Sequence, residues 1–304
     1  LLFERMDHTH RVTEDRFRIV RCSDCGFVFV NPRPSKDDIH AFYPPEFYDV
    51  DIDADMLIKS KETVLREKAK FLDELTPGRL LDIGCQKGEF LYWMKRKGWD
   101  VEGVEFSSLP PNLFDVPIHR READSLGFED HSFDVITLWA VLEHVHDPVA
   151  VLREVRRLLR PSGRAVVLIP NFNSIPGRYM RHDDVPRHLL MFTPKTFGTA
   201  AGAAGLVVRR LVFSDDVFSG STRGFLNFVA KRALGESFDE ILAQNRAPSR
   251  WDEFTSTARG RPSKLVQRFD RWDLRHHPRL DRLMCRLRLS FIMTAVLEPR
   301  RGRT

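Results

Sequence analysis

The stretch LLDIGCQKGEFL, residues 80–91, carries the first chemistry this sequence offers. An apolar run ends in Asp82, and Gly84-Cys85-Gln86-Lys87-Gly88 then turns into a helix. Small residues at such a turn let the backbone approach a ligand closely. The helix N-terminus offers free N–H groups and the positive end of its dipole to an anionic group. A second apolar run ends in Glu105, 17 residues after Gly88. That spacing sets a carboxylate beside the turn, where it can accept both ribose hydroxyls of an adenosine ligand. Without that acid, the Gly-rich turn reads equally well as a tight strand–helix connection.

Three further groups of residues can do chemistry. Glu143 and His144 sit side by side, and His has the right pKa for a general base near neutral pH. The plain alternative is that the pair orients its own turn through backbone hydrogen bonds. His188 stands in VPRHLLMFTP, and His146 is expected at the surface before Asp147. Cys22 and Cys25 form a single CxxC with zinc-knuckle spacing. Zinc needs four ligands, and a second CxxC is absent. Either it lay upstream of Leu1, since the chain opens inside sequence that already reads as structured, or it was lost, leaving a truncated or degenerate zinc ribbon; His8 and His10 are the alternative ligands. A redox role is disfavoured because CSDCG does not open a helix.

The elements that must position these residues can be read from periodicity. A helix is expected from about Asp55 to Leu75, then strands at Leu80–Ile83, Val101–Glu105, Pro117–Arg121, Phe133–Trp139, Ala165–Ile169, Leu206–Phe213 and Phe291–Leu297. Asp147-Pro148 and Thr193-Pro194 read as helix starts. Ser35 with Asp38 reads as a capping box opening a short helix. Strands alternating with helices imply a mostly parallel sheet covered on both faces. SSLPPNLFDVP is too short and Pro-rich for a full crossover helix, so a turn is expected there. Helical spacing returns at Phe225–Leu242 and Leu265–Leu287, with Phe269 and Trp272 on its apolar face.

The Gly turn and the segments downstream of it resemble class I S-adenosylmethionine-dependent methyltransferases, whose first motif is written D-x-G-C-G-x-G. EADSLGFEDHSFDVITLWAVLEHVHDP and VLREVRRLLRPSGRAVVLIPN are similar to later segments of that family, and the likeness runs over about residues 60–213. The chain also resembles the bacterial branch in which CxxCG and N-P-R-P precede the methyltransferase core. The resemblance implies a Rossmann-like α/β fold with a seven-stranded, mostly parallel sheet and helices on both faces. A small N-terminal segment precedes it, and a helical insertion comes before the last strand. It implies that Asp82, Gly84 and Gly88 surround the methionine part of S-adenosylmethionine, with Cys85 in the turn beside it. It implies that Glu105 takes the ribose, that Asp124 and Leu126 flank the adenine, and that Trp139 and Ala140 line the cofactor and the substrate entrance. It places His188 in a substrate-facing loop and makes Tyr43 and Tyr48 part of a lid. Glu143, His144 and His188 become the candidate catalytic residues. Two departures matter. Gln86 replaces the second Gly of the motif, and a non-Gly residue there must avoid positive φ or be strained. Ala140 stands where metal-assisted members carry the first Glu of Glu-Val-Leu-Glu-His, which argues against a cation held by two carboxylates and a His.

Composition bounds the rest. The chain has 304 residues, 42% hydrophobic, four cysteines and a net charge of +5. That excludes a disulfide scaffold, a collagen or coiled coil, and an integral membrane protein. With no signal peptide read, the expected compartment is the cytoplasm. The expected organisation is a CxxC remnant and lid over 1–50, a cofactor-binding core over 51–213 and a basic helical insertion with the final strand over 214–304. Residues 215–304 hold 18 Lys+Arg against 11 Asp+Glu, so the basic excess is local. It suits a cap over the substrate pocket, or docking to a membrane surface or an anionic lipid-linked substrate. Nucleic acid fits poorly, because aromatic and basic residues do not interleave. The expected function is methyl transfer to an O or N nucleophile of a small molecule or a glycan- or lipid-linked intermediate. The alternatives are a non-catalytic S-adenosylmethionine-binding regulator and an RNA methyltransferase. A nicotinamide enzyme is disfavoured by GCQKG.

Overall fold

The computed structural model describes residues 1–7, 12–44, 53–107, 111–122, 125–179, 184–214, 216–218, 225–238, 240–241 and 278–300. Asp124, Tyr48, His8, His10, Leu265, Phe269 and Trp272 lie outside them.

Three short strands open the chain: β1 (Phe3–Met6), β2 (Arg16–Arg21) and β3 (Val28–Val30). Helix α1 (Ala54–Ala69) comes next, then β4 (Arg79–Ile83), α2 (Glu89–Lys95), β5 (Asp100–Glu105), β6 (Ile118–Arg120), β7 (Phe133–Trp139), α3 (Pro148–Leu158) and β8 (Leu159–Pro170). The second half adds α4 (Ile175–Tyr179), β9 (Leu190–Met191), α5 (Pro194–Ala203), β10 (Leu206–Phe213), α6 (Phe225–Ala233) and β11 (Ile292–Pro299). Residues 278–286 are helical as well.

The main sheet has seven strands in the order β10-β11-β8-β7-β4-β5-β6, and all seven expected strands are in it. Strands β4 to β8 pair in parallel, while β11 runs antiparallel to both neighbours. Period-2 alternation divides the strand residues between two apolar layers. Leu81, Ile83, Ile136 and Leu138 pack with Val151, Leu152 and Val155 of α3 and Phe197 of α5. Leu80, Val135 and Trp139 pack with Leu57 and Leu65 of α1 and Phe90 and Met94 of α2. No helix among the described residues is long and apolar enough to cross a membrane.

A second, antiparallel sheet has the order β1-β2-β3-β9. Its last strand comes from far down the chain, with Val28 opposite Met191 and Phe29 opposite Leu190. The N-terminal strands are therefore completed by a strand that begins just after His188.

Several local expectations hold. The Asp147 carboxylate caps α3, accepting from Val149 and Ala150 at 3.0 and 2.9 Å. Thr193 and Thr196 form a reciprocal capping box on α5. Among the described residues no helix lies between β5 and β6, where the Asn112 side chain donates to the Val116 carbonyl instead. Others shift. Helix α1 stops at Ala69, and the apolar spacing continues in turns where Phe71 and Leu72 donate to carbonyls three residues back. The Arg160-Pro161-Ser162-Gly163 segment lies within β8 as an irregularity, between the pairs Phe133–Leu159 and Val135–Arg164. The Ser35–Asp38 pair bonds as expected, but opens a single 3-10 turn, Ile39–Phe42. Helix α6 ends at Ala233, where Gly235 at φ +90° lets the Glu236 N–H close the turn on the Lys231 carbonyl.

The cap on α3 is the simplest test of these local rules. Asp147→Ala is expected to cost about 1 kcal/mol in urea unfolding, with an unchanged denaturant slope.

Candidate functional site

At the carboxyl end of β4 the chain must turn sharply, and the N–H groups of Gly84 and Cys85 both donate to the Val104 carbonyl, at 2.8 and 3.1 Å. Gly84 adopts φ +76°, and a Cβ there would lie 2.5 Å from Val141 Cγ2. Gly88 caps α2 at φ +86°. Gln86 takes φ +50°, so the departure from glycine is accepted in the left-handed region. Its N–H donates to Glu105 Oε2 at 3.0 Å, which holds the strained residue in place. The other carboxylate oxygen of Glu105 accepts from Ser107 N–H at 3.1 Å. Sequence spacing therefore placed this acid correctly beside the turn. Burial raises the Glu105 pKa, against the pull of these N–H groups. Cys85 packs inward against Gly103, where a Cβ would meet its sulfur at 2.6 Å, and burial pushes its thiol far up.

Next to the turn lies a buried charged group. Asp82 accepts from the Thr137 hydroxyl at 2.6 Å. Burial pushes its pKa up to about 7, although the Lys68 ammonium pulls the other way. Lys68 reaches in from α1, with its nitrogen 5.2 Å from the Trp139 ring centre and 5.7 Å from that of Phe90. Lys61 of the same helix pairs with Glu89. Glu89 Oε2 and Trp139 Nε1 are buried without hydrogen-bond partners. Sequence reading missed both lysines. The available signal was their place on the buried stripe of α1, in helical register with Leu57 and Leu65. Leu126, expected near the adenine, is fully buried in the α3-side core, and its N–H donates to Glu154 at 3.1 Å.

A second cluster forms where the small sheet meets the main one. Glu143, His144 and His188 each place one potential ligand atom within 4.8 Å of the others. The two imidazole rings stand 4.7 Å apart, edge to face. Both oxygens of Glu143 are buried and unpartnered, and burial pushes its pKa up to about 7. His144 is pushed down to about 3 by burial and by the charge of His188. Its Nδ1 lies 3.0 Å from the Arg187 carbonyl and 3.0 Å from the Tyr43 hydroxyl. Burial opposes the charge of His188, but Asp184 and Glu143 beside it prevail and raise its pKa. His188 Nε2 meets Asp184 Oδ2 at 2.9 Å. Asp184 in turn binds Arg187, which has no exposed surface and also donates to the Phe42 carbonyl. Asp184 and Arg187 escaped sequence reading, although Asp184 stands one helical turn before His188. An apolar cavity borders the cluster, lined by Phe172, Val185, Leu190, Met191 and Phe291 with His188 at its polar edge.

Tyr43 ties the two groups together. Its ring packs edge-on at 5.9 Å against Phe106, the residue after Glu105, while its hydroxyl reaches His144. His146 is engaged rather than simply exposed: its Nε2 contacts the Pro34 carbonyl at 2.9 Å, and its own carbonyl accepts from Arg33. Cys22 and Cys25 stand apart on the β2–β3 turn, both free. Hydrogen bonds from the backbone of Cys25 and Asp24 lower the Cys22 pKa. Among the described residues no third ligand joins them, and His8 and His10, the alternative ligands, lie outside the described residues.

The main sheet, with its antiparallel β11 and its glycine turn after β4, defines a Rossmann-like methyltransferase fold. A family profile described as a methyltransferase domain matches residues 57–211, and the chain belongs to that family. Curated relatives include a ubiquinone biosynthesis O-methyltransferase of Aeromonas salmonicida, 33% identical over 155 residues, which is 43% of this chain and 63% of that protein. A protein of the same name from Neisseria meningitidis is 32% identical over 134 residues, 40% of this chain and 56% of its own. The chain thus spans less than two thirds of the length of these relatives. Among solved structures, the cyclase SpnF shares the fold at TM-score 0.51 and 16% identity, covering 89% of this chain and 98% of that one. The methyltransferase-like chain bound to the Haloferax volcanii Trm112 activator does so at TM-score 0.50 and 16% identity, over 82% of this chain and 94% of its own.

Asp82 gives this site a pH signature. In the unfolded chain its carboxyl ionises near 3.9; in the folded protein it stays protonated to about 7. Between those values the folded state holds the extra proton, so stability falls as pH rises through this window. Chemical denaturation across pH 4 to 7.5 is expected to show that decline in the wild type and a flatter profile in Asp82→Asn.

Proposed function

We propose that this chain is a cytoplasmic S-adenosylmethionine-dependent methyltransferase that acts on an oxygen or nitrogen nucleophile of a small molecule or a glycan- or lipid-linked intermediate. The observation that carries the reading is the Glu105 carboxylate, buried and fixed by the N–H groups of Gln86 and Ser107 beside the Gly84–Gly88 turn. Beside the turn, Trp139 Nε1 and Glu89 Oε2 are buried without partners, so polar groups are available to a ligand. Glu105 would hold the ribose hydroxyls. Asp82, Glu89 and Lys68 would hold the charged methionine end. Asp124, which lies outside the described residues, and Leu126 belong to the adenine side by family position.

When bound, S-adenosylmethionine supplies an electrophilic methyl group on a cationic sulfur. The chain's own residues supply position and a dry environment. Asp82, whose pKa burial raises to about 7, would ionise beside that cation. Glu143, His144 and His188 face the acceptor side and control its proton. Tyr43 and Phe106 bridge the two sides. The names of the curated relatives favour an oxygen acceptor of small-molecule type. The basic excess over 214–304 suits an acceptor with an anionic group or an adjoining membrane surface.

Calorimetry with S-adenosylhomocysteine tests the cofactor half. The wild type is expected to bind, and Glu105→Ala to bind at least ~10-fold more weakly, the loss of about 1.4 kcal/mol of hydrogen bonding. No binding by folded wild type would sink the proposal. For the acceptor half, a metabolite extract incubated with the wild type is expected to yield a species heavier by one methyl group, and Glu143→Gln to yield far less while still binding S-adenosylhomocysteine. Cofactor binding with no methylated product in any extract would favour a regulatory binding protein.

A further inference from the structure

The helix over residues 278–286 ends in a turn that leads into β11. Arg279, Arg282, Leu283, Arg286 and Leu287 recur at helical spacing, so they share one face. Leu287 N–H donates to the Leu283 carbonyl at 3.0 Å, which carries the helical register that far. All five residues are exposed, whereas Met284 is buried. Leu283 and Leu287 keep 49% and 55% of their surface in solvent. Among the described residues no other two large apolar side chains one helical turn apart are both exposed.

The basic side chains of this segment are uncompensated. Among the described residues, Arg279, Arg286 and Arg288 make no ion pair, and Arg282 meets only the Pro278 carbonyl, at 3.2 Å. The helix closes with the Arg288 N–H on the Cys285 carbonyl at 3.1 Å and the Leu289 N–H on the Met284 carbonyl at 2.8 Å, a Schellman motif. That motif holds Arg288 at φ +58°, in a position that favours glycine. A fourth guanidinium is thus carried at some cost to the backbone.

These observations say what lies against the face. A guanidinium binds phosphate through two parallel N–H groups. Leucines among such arginines call for an apolar phase close to that phosphate. A bilayer surface offers both, with headgroups above and acyl chains just below. A second copy of the chain does not, because a two-fold contact of this face with itself sets arginine against arginine. A nucleic acid leaves the leucines in water, and none of the five residues is an aromatic on which a base stacks.

We infer that residues 278–288 dock this protein on a lipid bilayer that carries anionic headgroups. The chain continues from Arg288 to the buried Ser290, whose carbonyl accepts from Asn171 Nδ2 at 3.0 Å, and then to Phe291, which lines the apolar cavity beside His188. Three residues span at most about 10 Å, so the docked segment ends within that reach of the cavity lining. On the methyl-transfer reading, on which this role rests, the acceptor is a lipid-borne molecule that enters the cavity from the bilayer, apolar body first.

The test measures flotation of the full chain with vesicles of phosphatidylcholine and of its equal mixture with phosphatidylglycerol. Three variants accompany the wild type: Arg279→Gln, Arg282→Gln, Arg286→Gln; Leu283→Ser, Leu287→Ser; and Lys59→Gln, Arg66→Gln, Lys95→Gln, which removes the same charge elsewhere. Thermal unfolding checks that each is folded, light scattering gives its mass, and each is titrated with S-adenosylhomocysteine. The wild type is expected to bind the mixed vesicles at least ~10-fold more tightly than phosphatidylcholine alone. The arginine variant is expected to lose about 100-fold, near fivefold per side chain, the leucine variant about 10-fold, and the charge control to stay close to the wild type. Folded wild type that ignores the mixed vesicles overturns the inference. So does a charge control that loses as much as the arginine variant, a leucine variant that binds unchanged, or a wild-type dimer that the leucine substitutions dissociate. Vesicle binding as expected without S-adenosylhomocysteine binding leaves the docking standing and ends the methyl-transfer reading. The converse result ends the docking and leaves that reading intact.

Discussion

A guanidinium with no exposed surface must find its partners inside the protein, and Arg187 organises everything around it for that reason. It donates to Asp184 through Nε and to the Phe42 carbonyl through Nη1, and it lies 3.8 Å from the equally buried Asp7. Those partners come from the first strand's end, the 3-10 turn before Tyr43 and the loop before β9. None of them is free to move alone without leaving the charge uncompensated. The orientation of His188 is set as a result, because Asp184 is shared between the arginine and the imidazole. The position of His144 is set too, because the Arg187 carbonyl receives its ring nitrogen. A single buried cation thus fixes both imidazoles.

The two polar centres use buried carboxyls in the same way. Asp82 and Glu143 both sit where burial pushes their pKa up to about 7, and each has a basic residue within electrostatic reach, Lys68 in one case and His188 in the other. Such groups are costly in an empty pocket and become favourable when a cation joins them. Tyr43 lies between the two centres, packing on Phe106 next to Glu105 and on His144 next to Glu143.

Much of the main sheet could be read from sequence because its signals are local. Continuous apolar runs marked the buried parallel strands, Pro at the first helical position marked α3 and α5, and the interval from Gly88 to Glu105 measured one helix and one strand. What escaped depends on contacts between distant segments. The pairing of β3 with β9 joins residues that no periodicity links. Asp184 and Arg187 read as ordinary loop charges until Asp7 and Phe42 are brought against them. Lys61 and Lys68 look like solvated helix residues, although their register with Leu57 and Leu65 turns them inward. Ala140 argued against a cation site from one missing acid. His188 lies against Glu143 and His144, which only the folded chain shows.

The short β9 strand has a further consequence. It makes the N-terminal strands a scaffold for the loop carrying Asp184, Arg187 and His188, while Glu105 and the glycine turn are built wholly within the main sheet. The molecule thus keeps two construction sites under separate control. Sequence change in β1 to β3 reaches the imidazole cluster through β9 and leaves the turn after β4 untouched. A lineage can therefore refit one centre for a new chemical partner while the other is inherited intact.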